Sequence, residues 1–215
     1  MRLDCIAAGP LQANTYFIGA KGSESIAVID ASDASVVLQY LRENKKTLSH
    51  AIFTHGHFDH IAGAAALREE TGCELWIHEA DGEALRSNRA SLATLAGMRL
   101  MTTEPTRLLQ DGDEICVSGV TLRVLHTPGH SEGSILLVSE EENLAFTGDT
   151  VFLESVGRTD LPGGSLRKLT ASVKERVLAL PPSMRLFSGH GEPTTVRHEQ
   201  THCPLLKDWR HPWFD

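Results

Sequence analysis

Short apolar runs recur along the chain at residues 3–8, 15–18, 26–29, 51–53, 74–77, 120–125, 134–138, 144–146 and 185–187. Runs of this length predict strands. Helical spacing separates many of them. Residues 34–43 place Val37, Leu38 and Leu41 on one face, and residues 61–71 are alanine-rich and run into Gly72, a natural C-cap. Residues 165–180 space Leu166, Leu169, Val173 and Val177 along one side. The stretch 79–87 also reads as helical, the Ala-, Leu- and Met-rich continuation to Met101 as a helix or a lid, and 194–202 as a helix.

The early strands are joined by glycine-containing turns at 20–23 and 111–113, whereas later strands are separated by helices. That order fits neither an all-parallel doubly wound sheet nor an all-β barrel; it predicts an α/β fold with two mixed sheets covered by helices. No repeat or low-complexity linker divides the 215 residues, so one domain over 1–215 is expected.

Charge removes several function classes. A net charge of −8 provides no basic stripe for a phosphate backbone, so nucleic acid is not an expected partner. No run approaches the ~18 apolar residues that span a bilayer, and Asp4 interrupts the segment where a secretory signal would be apolar. No membrane association and a cytoplasmic location are therefore expected. Cys5, Cys73, Cys116 and Cys203 lie far apart in no zinc-ligand spacing, which predicts buried, reduced thiols. The pattern leaves oligomeric state open.

Residues 54–60 read Thr-His-Gly-His-Phe-Asp-His and crowd His55, His57, Asp59 and His60 into one loop. Imidazole with carboxylate suits divalent ions. Neighbouring side chains diverge, so four donors this close predict two ions side by side. Three further donors follow apolar strands directly: His130 after 120–125, Asp149 after 144–146 and His190 after 185–187. The 55–60 cluster likewise follows 51–53. A glycine stands beside each donor group, permitting tight turns on one rim. Taken alone, His130 or His190 is an ordinary histidine and Gly-Asp an ordinary turn or cap; taken together, the seven donors predict one site.

With these motifs the chain resembles the metallo-β-lactamase superfamily, whose signature is His-x-His-x-Asp-His followed by His, Asp and His at strand ends. The resemblance covers nearly the whole chain and implies an αββα sandwich with metals at one edge of the paired sheets. It implies that His55, His57 and His130 hold one metal, that Asp59, His60 and His190 hold the second, and that Asp149 bridges them. The run 155–164, Ser-Val-Gly-Arg-Thr-Asp-Leu-Pro-Gly-Gly, and the run 189–195, Gly-His-Gly-Glu-Pro-Thr-Thr, are similar to the glyoxalase II and persulfide dioxygenase branch. Aspartate at 149 argues against the β-lactamases that use a cysteine ligand. The resemblance departs at the C-terminus, where the helical domain with which glyoxalase II grips glutathione is not expected.

The resemblance implies hydrolysis of a thioester, S-lactoylglutathione or a related hydroxyacyl thioester, by a hydroxide shared between two divalent ions, with Asp59 orienting it. Zinc is the first expectation, iron or manganese the alternatives. The second function is a persulfide dioxygenase with one iron on His55, His130 and Asp149; the third is a non-catalytic metal-binding protein. Arg158 and Asp160 are candidate substrate contacts or a loop-fixing ion pair. His126 reads as a strand-end histidine turned to solvent, or as a partner to a ligand. The sequence 198–202 matches His-Glu-x-x-His, yet Pro204 follows and few donors remain downstream, which argues against a protease site. The aromatic run 209–214 is expected to pack on the domain.

Overall fold

The structure, a computed structural model, describes residues 1–204. β1 (Arg2–Ala8), β2 (Ala13–Gly19), β3 (Ser25–Ile29), β4 (Thr47–Phe53), β5 (Glu74–His78) and β6 (Arg107–Leu109) form one sheet in that spatial order. β1 to β3 are antiparallel neighbours and β3 to β6 run parallel. The second sheet contains β7 (Glu114–Val117), β8 (Val120–His126), β9 (Ile135–Ser139) and β10 (Leu144–Gly148). A small hairpin, β11 (Val151–Phe152) and β12 (Ser155–Val156), precedes its last members, β13 (Arg185–Ser188) and β14 (Thr194–Thr195). The spatial order is β14-β13-β10-β9-β8-β7, antiparallel except where β10 meets β13.

Strand alternation explains the layers. In β9 and β10, Ile135, Leu137, Leu144 and Phe146 face the first sheet, where they meet Tyr16, Ile18, Ile29 and Ile52. Leu136, Val138 and Ala145 point the other way, against Leu169, Val173 and Val177. On the far side of the first sheet, Phe17, Val28, Ala51 and Phe53 pack on Val37, Leu41 and Leu67. Both faces of each sheet are thus covered, which is why β9 and β10 are buried at every position. The expected four-layer αββα sandwich is what forms. Each large side chain in these layers contributes about 1.5–3 kcal/mol by leaving water.

The outer layers are helices whose ends are chemically specified. α1 (Ala34–Asn44) is capped by Asp33, whose carboxylate accepts from Ser35 N at 2.8 Å, and it ends on Lys45 in the left-handed region. The predicted helix 61–71 is divided into α2 (Phe58–Ile61) and α3 (Ala64–Thr71). The break occurs because Gly63 packs onto the 31–34 turn and donates to Ala31 O at 2.8 Å. Gly72 caps α3 as expected. The predicted helix 165–180 is α4 (Leu166–Ser172), capped by Ser165, running into a π-helical turn at Val173–Val177. α5 (Val196–His202) closes the described chain.

Three expectations are corrected. Residues 79–85 form a 3₁₀ helix rather than a longer α-helix, and 88–101 form consecutive turns pinned by Asn88, whose side chain bonds both the N–H and the carbonyl of Leu100. β6 and β7 were not anticipated, because half-polar edge segments such as Glu-Ile-Cys-Val present too short an apolar run. Cys73 and Cys203 are buried as expected, but Cys5 and Cys116, on the edge strands β1 and β7, are exposed. The 209–214 run lies outside the described residues. Among those described, no helix is long and apolar enough to cross a membrane.

Candidate metal centre

Four strand ends meet at one edge of the sandwich. β4 delivers residues 54–57 and α2, β8 delivers His130, β10 delivers Asp149 and β13 delivers His190. Hydrogen bonds across the sheets hold this rim: Ile135 N donates to Thr54 O at 2.9 Å, and Asn14 N donates to Gly189 O at 2.7 Å. Close approach is possible because residue 189 has no side chain. A Cβ there would stand 2.2 Å from Asp149 Oδ1 and 2.7 Å from His60 Cε1.

All seven sequence-predicted donors converge. His57 Nδ1 is 2.8 Å from His130 Nε2, and His60 Nε2 is 3.3 Å from His190 Nε2. Asp59 Oδ2 lies 3.2 Å from His190 Nε2 and 3.4 Å from His60 Nε2. Asp149 stands between the two groups: Oδ1 is 3.4 Å from His60 Nε2, and Oδ2 is 3.4 Å from His130 Nε2 and 3.7 Å from His190 Nε2. The donors that could hold an ion fall into three triads, His55–His57–His130, Asp59–His60–His190 and His55–His60–Asp149.

The chemistry of this donor set fits cations. His55 Nε2 and Asp149 Oδ1 are buried without a hydrogen-bond partner, a costly condition for polar atoms that no ligand satisfies. Burial, followed by the neighbouring imidazoles, depresses the basicity of His55, and the same causes push His57 down to about 3. Both therefore present lone pairs. For Asp59, burial opposes ionisation, but hydrogen bonds to His190 and His60 overcome it and hold the carboxyl well below its usual range. His60 is raised despite burial because Asp149 and Asp30 surround it with negative charge. His190 is raised as well, burial being outweighed by its hydrogen bond to Asp59 and by the charge of Asp149. Positive charge is favoured where the carboxylates meet.

Supporting contacts decide which ring nitrogens face inward. Asp30 Oδ2 is 2.8 Å from His60 Nδ1, and the same carboxylate accepts from Thr54 N and Thr54 Oγ1, each at 2.8 Å. The Arg158 carbonyl is 2.9 Å from His130 Nδ1. Each contact places the proton on Nδ1 and turns Nε2 toward the donors. Asp30 was missed by the sequence reading, although it follows the 26–29 strand as the identified donors follow theirs. Asp81, in the 3₁₀ turn, was also missed, since residues 79–107 carry no periodicity that would mark a polar contact.

Beside the donors lies a cavity of about 310 Å³ whose wall is largely apolar, formed by Leu11, Phe58, Leu92, Leu95 and Leu161. Arg158 reaches this cavity and is engaged by Asp160 through two 2.8 Å hydrogen bonds, an exposed ion pair. His126 is stacked on His78 with ring centroids 4.1 Å apart, and its Nε2 meets the Glu132 carbonyl at 2.8 Å, rather than pointing freely to solvent. Among the described residues, the His-Glu-x-x-His match belongs to none of the donor groups that could hold a metal. Glu199 points inward, is fully buried and accepts from Thr194 Oγ1 and Glu154 N, while His198 and His202 stack on the opposite, outer side.

An αββα sandwich carrying histidines and aspartates at the meeting edge of its sheets defines a class of metal-binding proteins. Residues 8–190 match the sequence profile of the metallo-beta-lactamase superfamily, and the chain belongs to that family. It is similar to the hydroxyacylglutathione hydrolase GloC of Haemophilus influenzae, at 30% identity over 96% of this chain and 98% of that one. Among solved structures, the BLEG-1 B3 metallo-beta-lactamase shares 32% identity with a TM-score of 0.90, over 95% of this chain and 99% of that one. TTHA1623, solved in a di-iron-bound form, shares 34% identity with a TM-score of 0.84, over 94% and 100%.

Proposed function

We propose that the protein is a dinuclear metallohydrolase that cleaves thioesters, with S-lactoylglutathione or a related hydroxyacyl thioester as substrate. The observation that carries this reading is the position of Asp149, within reach of both triads: its Oδ2 faces His130 of one and His190 of the other, and its Oδ1 faces His60. Of the three donor triads, His55–His57–His130 and Asp59–His60–His190 share no residue and would hold one ion each in this reading, with Asp149 within reach of both.

Two divalent ions bound there would supply hydroxide near neutral pH and electrostatic stabilisation for the oxyanion of a carbonyl substrate. Zinc is the proposed ion, and the same donors accept iron or manganese; the di-iron form of TTHA1623 supports keeping iron in view. The residues of this chain supply the rest. Asp59, held ionised by His190 and His60, orients the nucleophile, and Asp30 and the Arg158 carbonyl keep His60 and His130 protonated on Nδ1, so that Nε2 offers its lone pair to the centre.

Thioesters suit the cavity because a thiolate leaves with little protonation. Outside the donor cluster the wall is apolar apart from Arg158, so a reaction that needs no further general acid fits it. The relationship to H. influenzae GloC supports a hydroxyacylglutathione as the first compound to assay. The test is thiol release from S-lactoylglutathione by the metal-loaded protein. Release that chelator abolishes is the expected result. One iron per chain, with dioxygen consumed on glutathione persulfide and no thioester cleavage, would replace this reading with the oxidoreductase.

A further inference from the structure

Gly56 separates His55 from His57, and Ser131 and Gly133 follow directly on His130. All three bond to one carboxylate. Asp81 Oδ2 accepts from Gly56 N and from Ser131 Oγ, and its Oδ1 accepts from Gly133 N, each at 2.7 Å. Asp81 is 8% exposed and belongs to the 3₁₀ turn Glu79–Leu85 that follows β5. A third chain segment, itself contributing no donor, therefore joins two ligand loops that come from different sheets.

The loops are stripped of side chains where that turn enters. A Cβ on Gly56 would stand 2.5 Å from Ala84 Cβ and 3.2 Å from Asp81 Cβ; one on Gly133 would stand 2.6 Å from the Asp81 N, Cβ and Cγ atoms. Ser131 is further held by Ser134, with the hydroxyls 2.7 Å apart and Ser131 N donating to Ser134 Oγ at 3.1 Å. Charge-assisted bonds of this length to buried amides are among the stronger polar contacts in a protein. Each resists relative movement of the His55–His57 loop and the His130 loop.

The contacts are confined to one half of the centre. The three partners of Asp81 neighbour His55, His57 and His130 along the chain, whereas Asp30 bonds a ring of the other half, His60, as well as Thr54 next to His55, and the close seat at Gly189 faces Asp149 and His60. We propose that Asp81 is a positioning residue for the three-histidine half alone: it sets the separation of two backbone loops, and through them the affinity and coordination geometry of one of two ions. The inference rests on the dinuclear reading of the centre.

The experiment is metal titration of the full chain with chelator competition, using zinc for affinity and cobalt for its visible absorption. The parent protein is measured first; a single ion per chain would overturn the dinuclear reading itself, before any variant is considered. Against a two-ion parent, Asp81→Asn is expected to weaken one ion on the order of tenfold or more, to alter the cobalt bands of that ion, and to leave the other within about twofold. Unchanged affinity and spectrum, or equal weakening of both ions, would overturn the assignment. Ser131→Ala removes one of the three bonds and leaves the carboxylate in place. Weakening of the same ion is expected, and if Asp81→Asn does not fold, unchanged affinity in Ser131→Ala is the overturning result.

Discussion

Asp30 Oδ2 and His60 Nδ1 lie 2.8 Å apart, both side chains almost wholly buried, in a bond that crosses from the end of β3 to α2. The same carboxylate accepts two bonds from Thr54, so one side chain fixes both the start of the 54–60 loop and a ring at its end. Asp30 adopts a φ of 55° to do so, a conformation uncommon for a residue with a side chain.

Removing that carboxylate leaves the Thr54 N–H, the Thr54 hydroxyl and the His60 Nδ1 proton without their acceptor. Asp30→Ala is expected to destabilise the metal-free protein by about 2–4 kcal/mol and to weaken metal binding on the order of 10- to 100-fold. Urea unfolding measures the first and chelator competition the second. Unaltered metal affinity would show that His60 does not depend on this contact for its orientation.

Donor truncation separates chemistry from folding. His57→Ala and Asp59→Ala are expected to lower thiol release at least on the order of a hundredfold while far-UV circular dichroism stays at the parent value, because both residues lie in the 54–60 loop and not in a core layer. Turnover at the parent rate in either variant would remove it from the proposed mechanism.

The metal-free protein should show two opposing pH dependences. His55 and His57 are depressed in the folded state, first by burial and then by neighbouring imidazoles, so unfolding takes up protons once the pH falls below about 6.5, the ordinary histidine value. Stability therefore falls with acid on that side. His60 and His190 are raised. Their contribution is complete below about 6.5 and is lost as the pH rises through their higher folded values. A stability maximum is expected between the two limbs, measured as the urea midpoint from about pH 5 to about pH 9. His190→Gln should flatten the alkaline limb. Metal loading near pH 7 should release protons, since an ion needs the lone pairs that His60 and His190 hold protonated; calorimetry in buffers of different ionisation enthalpy reads that release.

Gly189→Ala places a methyl group against Asp149 and His60, where 2.2 Å and 2.7 Å separate the ideal Cβ from their atoms. The backbone on one side is bonded to Asn14 and on the other to Gly148, so it cannot simply retreat. Loss of metal and of thiol release is expected together, with metal content the direct measurement.

The apolar rim offers a test of substrate binding apart from the ions. Leu95 borders the cavity and is 68% exposed, so Leu95→Ala should change stability by less than about 0.5 kcal/mol. It should raise KM for the thioester with kcat little altered. An unchanged KM would place the substrate elsewhere.

Much of this was legible along the chain. Strands such as 134–138 and 144–146 were visible because both faces of their sheet are covered and complete burial writes itself as an apolar run, and 120–125 because its apolar residues alternate with polar ones. The seven donors were legible because each follows such a strand beside a glycine. Edge strands β6 and β7, the break at Gly63 and the turns of 88–101 were not, since a half-solvated edge or a glycine seated on a neighbouring turn has no local signature. Asp81 escaped for the same reason.

Donor identity, the mixed α/β class and the covering of two sheets by helices are properties of periodicity and residue type, and the amino-acid sequence by itself determined them. Tertiary structure alone decided which donor atoms lie within reach of one another, that Asp149 reaches His60 through Oδ1 and His130 and His190 through Oδ2, and that Asp30 and Asp81 stand behind them. Those relationships join residues dozens of positions apart. They depend on distances of a few ångströms set by two sheets packing face to face, and no spacing along a single chain segment encodes such a distance.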